Sequence, residues 1–156
     1  MQKKRKALRL ILFWTLAVGW IAVLFFFSGQ NAADSSKLSG WFVNFVQGVF
    51  PFNRIPADQL TYVVRKLAHF CIFALEGFLL CLAMAESFRD GSVGAVASVI
   101  VCTALAAGNE LHQIFSEGRS CEGRDMLIDT AGALLGVGAA LLLLHIIRRR
   151  KRARKK

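Results

Sequence analysis

One apolar stretch of this sequence carries ionisable side chains at helical spacing. Arg65, His69 and Glu76 are separated by four and then seven residues, so they share one face of a helix, and Lys66 lies beside that face. An imidazole is suited to general acid–base catalysis, whereas arginine and lysine are suited to holding a phosphate or carboxylate. These four residues therefore predict a binding site for an anionic group or a catalytic site.

Two later apolar stretches add carboxylates at a similar depth. At about 1.5 Å per helical residue, His69, Glu110 and Asp129 each lie about 6 to 7 Å inside the polar boundary of their own stretch. Gln113 shares the helix face of Glu110, and Asp125 shares the face of Asp129. We therefore expect a polar cluster built from three helices. Its candidate catalytic residues are His69, Glu110, Asp125 and Asp129.

The segment 116–125 connects the stretches that carry Glu110 and Asp129. Its two glycines and alternating charges predict a tight, ordered connection directly above the polar cluster. Arg119 and Arg124 lie in this connection, and their guanidinium groups are suited to binding phosphate or carboxylate. Neutralising the neighbouring carboxylates is an equally good role for them.

The chain is unusually apolar, and its basic residues are concentrated at its ends. Of its 156 residues 55% are hydrophobic and 19% are charged, with a net charge of +10. A soluble domain needs charges over its whole surface, so this composition argues against a soluble enzyme and indicates an integral membrane protein. Basic ends also occur in nucleic-acid-binding proteins, but no binding motif accompanies them here, so nucleic acid is not an expected partner.

Four apolar stretches approach the length of about twenty residues that a helix needs to cross a bilayer. The first could instead be a signal peptide, but it is longer than the usual hydrophobic region of that kind and lacks a small-residue cleavage pattern. We therefore predict an all-α integral membrane four-helix bundle, formed by a single domain over residues 1–156. The predicted spans are 8–27, 62–85, 93–115 and 126–147, with basic tails at 1–7 and 148–156.

Basic residues are distributed unequally between the two sides that these spans define. With both termini on one side, that side holds fourteen lysines and arginines and the other holds six. The positive-inside rule therefore places both termini in the cytoplasm, so that the polar cluster faces the outer leaflet of the cell membrane. The terminal basic groups are also expected to attract anionic membrane lipids.

An amphipathic segment lies between the first two predicted spans. Its apolar residues fall on one helical face, which is typical of a helix lying on the outer membrane surface, and Pro51 and Pro56 follow it. A helix that faces a protein partner and a re-entrant turn are the alternatives. The apolar face consists of Trp41, Phe42, Phe45, Val46, Val49 and Phe50.

Small residues continue the helix face of Asp129 toward the C-terminus. Gly132, Gly136 and Ala140 follow one another at intervals of four, and this spacing lets neighbouring membrane helices approach closely. We expect that approach to hold the Asp129 carboxylate against the other helices.

Histidine and carboxylate side chains also raise the question of a metal ion. His69, Glu110, His112 and Asp129 are suitable ligand types, but Glu110 and His112 are two residues apart and face different ways. The four cysteines show no metal-binding spacing, and Cys121, in the polar connection, is expected to be an exposed free thiol. No metal and no cofactor are therefore expected.

Three ordered motifs span the polar part of the sequence. They are Arg65-Lys66-x-x-His69 followed by Glu76, Glu110-x-x-Gln113 leading to Gly118-Arg119, and Arg124-Asp125-x-x-x-Asp129-x-x-Gly132-x-x-x-Gly136. Together they resemble the VanZ-like membrane protein family over about residues 65–138. Many members have a proline where this chain has Glu117. The resemblance implies a cell-envelope protein associated with teicoplanin-type glycopeptide resistance, and it supplies no agreed reaction.

Two functions fit the predicted polar cluster. In the first, the cluster binds a lipid headgroup, a lipid-linked cell-wall precursor or a partner protein. In the second, an enzyme uses His69 as general acid or base and hydrolyses a phospho- or acyl-lipid with water. A proton-coupled transporter that uses the deep Glu76 is a further alternative, but the chain has no internal repeat to support it. The oligomeric state is open. The expected binding residues are Arg65, Lys66, Glu76, Gln113, Arg119 and Arg124.

Overall fold

The computed structural model of the protein describes residues 2–49, 56–119 and 121–154. Its helices are α1 (Gln2–Ser28), α2 (Ala32–Val49), α3 (Ala57–Ser87), α4 (Gly91–Gln113) and α5 (Gly123–Ala153). The described residues form no strand, so the predicted all-α fold class is confirmed. All of these helices except α2 are long and apolar enough to cross a membrane, as expected for a four-helix membrane bundle.

α1, α3 and α5 extend beyond the apolar stretches that predict them, whereas α4 starts two residues before its predicted span and ends two residues short of it. α3 begins at Ala57 rather than at Tyr62, and α5 continues to Ala153, so most of the predicted C-terminal tail is helical. Arginine and lysine are good helix formers, and their charged groups can reach water or headgroups beyond the membrane core. At the start of α4, the Asp90 carboxylate caps the helix by accepting a hydrogen bond from the Ser92 N–H at 2.9 Å.

α3 is the central helix of the bundle, since it packs against all four others. Its most extensive partner is α5, and the two backbones approach closely. A Cβ atom on Gly132 or Gly136 would overlap the backbone carbonyl oxygen of Phe70 or Ala74, so neither position has room for a side chain. The structure therefore contains the close helix approach that the glycine spacing predicts.

The helices alternate in direction, which brings both ends of the described chain to one end of the bundle. Arg9 near the start of α1 pairs with Glu86 near the end of α3, with the Arg9 Nε atom 3.2 Å from Glu86 Oε1. The Arg148 guanidinium lies beside Gly91, where α4 begins. We call this the basic end of the bundle. α1 finishes and α5 starts at the opposite end.

The outside of the bundle is covered by apolar side chains. Leu16, Ile100 and Leu135 are exposed by more than two fifths of their surface, as is common where lipid tails take the place of water. The interior holds smaller or fully enclosed side chains, including Leu80 and Cys102, which belong to one packed cluster. The bundle is therefore shaped to be solvated by hydrocarbon along most of its length.

α2 lies against α3 and forms the helix that the amphipathic pattern predicts. Of its side chains that the structure describes, Val43 is the buried one, at 2% exposure. Trp41 and Phe45 stack on each other with ring centroids 6.2 Å apart and remain exposed. Exposed aromatic rings of this kind suit the headgroup region of a membrane, so an interfacial position stays our prediction. Phe50 and Pro51 lie outside the described residues, and the side chains of Val46 and Val49 are not described either.

Candidate functional site

A histidine and two carboxylates from three helices meet near the end of the bundle opposite the basic end. The Nδ1 atom of His69 on α3 lies 3.2 Å from Oδ1 of Asp129 on α5. Glu110 on α4 joins them, and one nitrogen or oxygen atom from each residue lies within 4.8 Å of the others. Asp129 is fully buried and Glu110 is 2% exposed. The structure thus brings together the three side chains of equal predicted depth, which we call the three-helix cluster.

Lys66 and Asp125 lie beside the three-helix cluster and form an ion pair. The Lys66 ammonium group donates hydrogen bonds to the Asp125 carboxylate and to Glu122 Oε2, the latter at 3.0 Å. Asp125 is 3% exposed, and a buried carboxylate is tolerated when a cation and hydrogen bonds accompany it. Lys66 therefore has partners within the protein. Glu122 was not predicted as a site residue. The one feature of the sequence that could have indicated it is its position three residues before Asp125.

Both oxygens of Glu110 accept hydrogen bonds. Gln113 Nε2 donates to Oε1 at 3.2 Å, and the backbone N–H of Glu122 donates to Oε2 at 2.8 Å. The second bond ties the start of α5 to α4 and thereby fixes the connection between them. Within that connection Gly118 has a φ of 73°, a conformation that glycine adopts without strain, while Ser120 lies outside the described residues.

A cavity of about 250 Å³ borders the three-helix cluster on the side of His69. Its polar part includes Arg65, His69, Asn109 and Arg119, and much of its remaining wall is apolar. The side-chain Oδ1 of Asn109 is buried and has no hydrogen-bond partner among the described residues. Asn109 was not predicted, although it directly precedes Glu110. The apolar and hydroxyl-bearing wall consists of Leu24, Phe27, Ser28, Ser35, Leu38, Ser39, Ala68, Ile72 and Phe73.

The two arginines of this cavity lack carboxylate partners. Neither Arg65 nor Arg119 forms an ion pair within the described part of the chain. Arg119 Nη1 donates to the carbonyl oxygen of Ser28 at 3.4 Å, while its Nε has no partner. Burial, together with the neighbouring Arg65 guanidinium, lowers the pKa of Arg119 from its ordinary value. The Glu110 and Asp125 carboxylates lie near enough to act on the Arg119 pKa in the opposite direction, but neither forms an ion pair with it. Two neighbouring guanidinium groups without ion-pair partners are suited to binding a negatively charged group.

Several predicted residues lie outside both the cavity and the three-helix cluster. Arg124 is exposed, so Arg119 is the loop arginine that reaches the cavity. His112 packs edge-on against Phe25 with ring centroids 5.6 Å apart and does not belong to the three-helix cluster. Cys121 is exposed and free as expected, and Cys71 is exposed as well.

Glu76 lies deeper in the bundle than the three-helix cluster. It is seven residues beyond His69 on α3, which corresponds to about 10 Å along the helix axis. Its side chain is fully buried, and neither carboxylate oxygen has a hydrogen-bond partner among the described residues. The shared helix face therefore does not bring Glu76 into the candidate site.

The fold and the site together define a four-span helical membrane protein with a polar site enclosed at one end of its bundle. The chain belongs to the VanZ/LLP1 family, whose model matches residues 13–145. The matched range includes the three-helix cluster and the cavity with its two arginines. No curated protein and no solved structure matches the chain.

Proposed function

We propose that this VanZ-like membrane protein binds the phosphate-bearing headgroup of a membrane lipid or of a lipid-linked cell-wall precursor in the cavity beside the three-helix cluster. The observation that carries the proposal is the pair of arginines without carboxylate partners, Arg65 and Arg119, in an otherwise largely apolar cavity. Both kinds of ligand share an anionic phosphate attached to an apolar chain, which is the chemistry that this lining matches.

The size of the cavity favours part of a lipid over a whole lipid. Its volume of about 250 Å³ is slightly below the range of about 300–1,000 Å³ that drug-sized ligands occupy. The phosphate would contact Arg65 and Arg119, and the first methylene groups would contact apolar residues such as Ile72 and Phe73. The rest of the acyl or polyprenyl chain would extend along the exposed apolar surface of the bundle.

The proposal includes the orientation of the protein in the cell membrane. The basic end, with both ends of the described chain, would face the cytoplasm because it holds most of the lysines and arginines. The cavity would then open at the outer leaflet. α2, with exposed Trp41 and Phe45, would lie in the headgroup region beside it.

Copurification of lipids tests the binding proposal. The full-length protein is extracted in a mild detergent, and bound lipids are identified by native mass spectrometry and lipid analysis. Arg65→Gln and Arg119→Gln each remove charge-assisted hydrogen bonds worth about 1.5–3 kcal/mol, so retention of the anionic lipid should fall by about 10- to 100-fold. Diacyl and polyprenyl chains have different masses, which distinguishes the two sources of the phosphate.

Arg124→Gln is the matched control, because it removes the same charge five residues away, at an exposed position in the first turn of α5. It should leave lipid retention unchanged. Equal retention in Arg119→Gln, Arg65→Gln and the control would show that the cavity does not bind the lipid through its arginines.

A hydrolytic enzyme is the second candidate function, and the 3.2 Å contact between His69 and Asp129 favours it. Asp129 would orient the imidazole, and His69 would accept a proton from water as the water oxygen attacks a phosphorus or carbonyl carbon. The leaving alcohol would then receive that proton. Overexpression should change the membrane lipid products, and His69→Gln should abolish that change while lipid retention persists. Unaltered lipid products on overexpression of the wild-type protein would exclude this activity on envelope lipids.

Glycopeptide susceptibility provides a cellular test of the ligand's identity. If the bound phosphate belongs to a lipid-linked cell-wall precursor, expression of the protein should change susceptibility to teicoplanin, and Arg119→Gln should remove that change. Susceptibility that is the same with and without the protein would direct the search to ordinary phospholipids.

A further inference from the structure

The three-helix cluster contains more carboxylate than its neighbouring cations neutralise. Lys66 pairs with Asp125 and Glu122, whereas Glu110 and Asp129 have no ion pair with lysine or arginine in the described part of the chain. Both carboxylates are almost completely buried. Buried carboxylates are normally accompanied by a cation, so this arrangement requires another source of positive charge or of protons.

One carboxylate oxygen in the three-helix cluster also lacks any partner. Asp129 is fully buried, its Oδ1 atom contacts His69, and its Oδ2 atom has no hydrogen-bond partner among the described residues. Unpartnered buried oxygens are uncommon in native structures and indicate a missing water, ion or ligand. This observation is independent of the charge imbalance.

We propose that His69, Glu110 and Asp129 form a binding site for one divalent cation of the zinc or manganese class. One imidazole and two carboxylates are suitable ligands for these ions, and three protein ligands leave a coordination position for water or for an oxygen atom of a bound ligand. The ligand atoms lie within 4.8 Å of one another. This proposal does not depend on lipid binding in the adjacent cavity.

One of the three ligand separations already fits an ion, and the others lie within 4.8 Å. Bond lengths of about 2.0–2.2 Å in a tetrahedral site place neighbouring ligand atoms about 3.4 Å apart. The His69 Nδ1 to Asp129 Oδ1 distance of 3.2 Å already matches that separation. Gln113 and the backbone N–H of Glu122 hold Glu110 in place, as hydrogen-bonding neighbours commonly do for metal ligands.

The sequence predicts no metal site because Glu110 and His112, two residues apart on one helix, face different ways. His112 packs against Phe25 and is not one of the three proposed ligands. The imidazole of the proposed site comes from α3 and the second carboxylate from α5. A ligand set assembled from three helices has no characteristic spacing in the sequence.

Metal titration of the purified full-length protein tests the proposal. The protein carries a tag without histidine, is stripped with EDTA in detergent and is titrated separately with ZnCl₂ and MnCl₂. Bound metal is measured by mass spectrometry after gel filtration, and the Mn²⁺ site is examined by electron paramagnetic resonance. We expect about one ion per chain and a higher thermal unfolding midpoint when the ion is bound.

Variants connect the bound ion to its ligands. Asp129→Asn and Glu110→Gln each remove a ligand and should weaken metal binding by more than about 100-fold, beyond the 10- to 100-fold typical of residues that only orient ligands. Asp125→Asn is the matched control: it neutralises a nearby buried carboxylate that is not a ligand and should retain binding. If a carboxylate variant does not fold, His69→Gln, at a partly exposed position, replaces it.

Two results would overturn the proposal. The first is wild-type protein that retains neither ion after gel filtration. The second is equal metal binding by Asp129→Asn and Asp125→Asn, which would place the ion elsewhere. Arg119→Gln separates this proposal from lipid binding, because it should lose the lipid and keep the metal.

Discussion

Gly132 and Gly138 on α5 provide a matched test of the close packing between α3 and α5. An alanine Cβ at position 132 would lie 3.0 Å from the carbonyl carbon of Phe70, and nearer still to its oxygen, whereas carbon atoms pack best at about 3.5–4.0 Å. The helices would have to separate by about 0.5–1 Å or more. At Gly138 a Cβ would meet no atom within 4 Å.

The expected effects of the two alanine substitutions have opposite signs. Overpacking against a rigid backbone costs about 1–3 kcal/mol, and the higher helix propensity of alanine returns at most about 1 kcal/mol. Gly132→Ala should therefore lower the free energy of unfolding by about 1–2 kcal/mol, while Gly138→Ala should leave it unchanged or raise it. Separation of the helices would also lengthen the contact between His69 and Asp129 beyond 3.2 Å, so that the hydrogen bond between them would weaken or break.

Thermal unfolding in detergent, followed by circular dichroism, measures this difference. For a chain of this size we expect the midpoint of Gly132→Ala to lie about 2–12 °C below that of Gly138→Ala. Gly136→Ala should behave like Gly132→Ala, because it meets the backbone of Ala74 in the same way. Equal midpoints for the variants at 132 and 138 would falsify the close approach of α3 and α5.

Three further predictions concern the ion pair, a helix cap and the orientation. Lys66→Met leaves Asp125 buried without its cation and should reduce the free energy of unfolding by about 3–5 kcal/mol. Lys37→Met breaks an exposed ion pair and should cost less than about 1 kcal/mol. Chemical denaturation compares the two variants, and similar losses would contradict the importance of burial. Asp90→Ala removes the cap of α4 and should cost about 0.5–2 kcal/mol in the same assay, with Asp90→Asn retaining most of the stability. In intact cells an impermeant thiol reagent should label the exposed Cys121, with Cys121→Ser as control, and labelling that needs disrupted cells would reverse the proposed orientation.

The number of spans and the helical class could be predicted because both follow from the length and apolarity of continuous segments. The helix ends could not be predicted as well, since Arg148 and the following basic residues continue α5 although they are not apolar. The buried side chain of α2 was also missed. Val43 is not among the residues of the predicted apolar face, and its burial depends on which side of α2 is turned toward α3.

The meeting of His69, Glu110 and Asp129 could be anticipated because depth along a helix is counted in residues. Which of Arg119 and Arg124 reaches the cavity could not be anticipated, because both are arginines of the same short segment 116–125. The turn at Gly118 and the bond from Glu122 to Glu110 decide it, and these depend on the three-dimensional path of the chain. The cavity was unpredictable for the same reason, because its wall combines α1, α2, α3 and α4.

His69 borders the arginine-containing cavity and also belongs to the three-helix cluster. One imidazole therefore separates the place suited to an anion from the place suited to a cation. Ligands that meet at a shared side chain alter each other's affinity, and by thermodynamic linkage the factor is the same in both directions. Each site would bind its own ligand without the other, and a ligand in one would change the affinity of the other by the same factor in both directions.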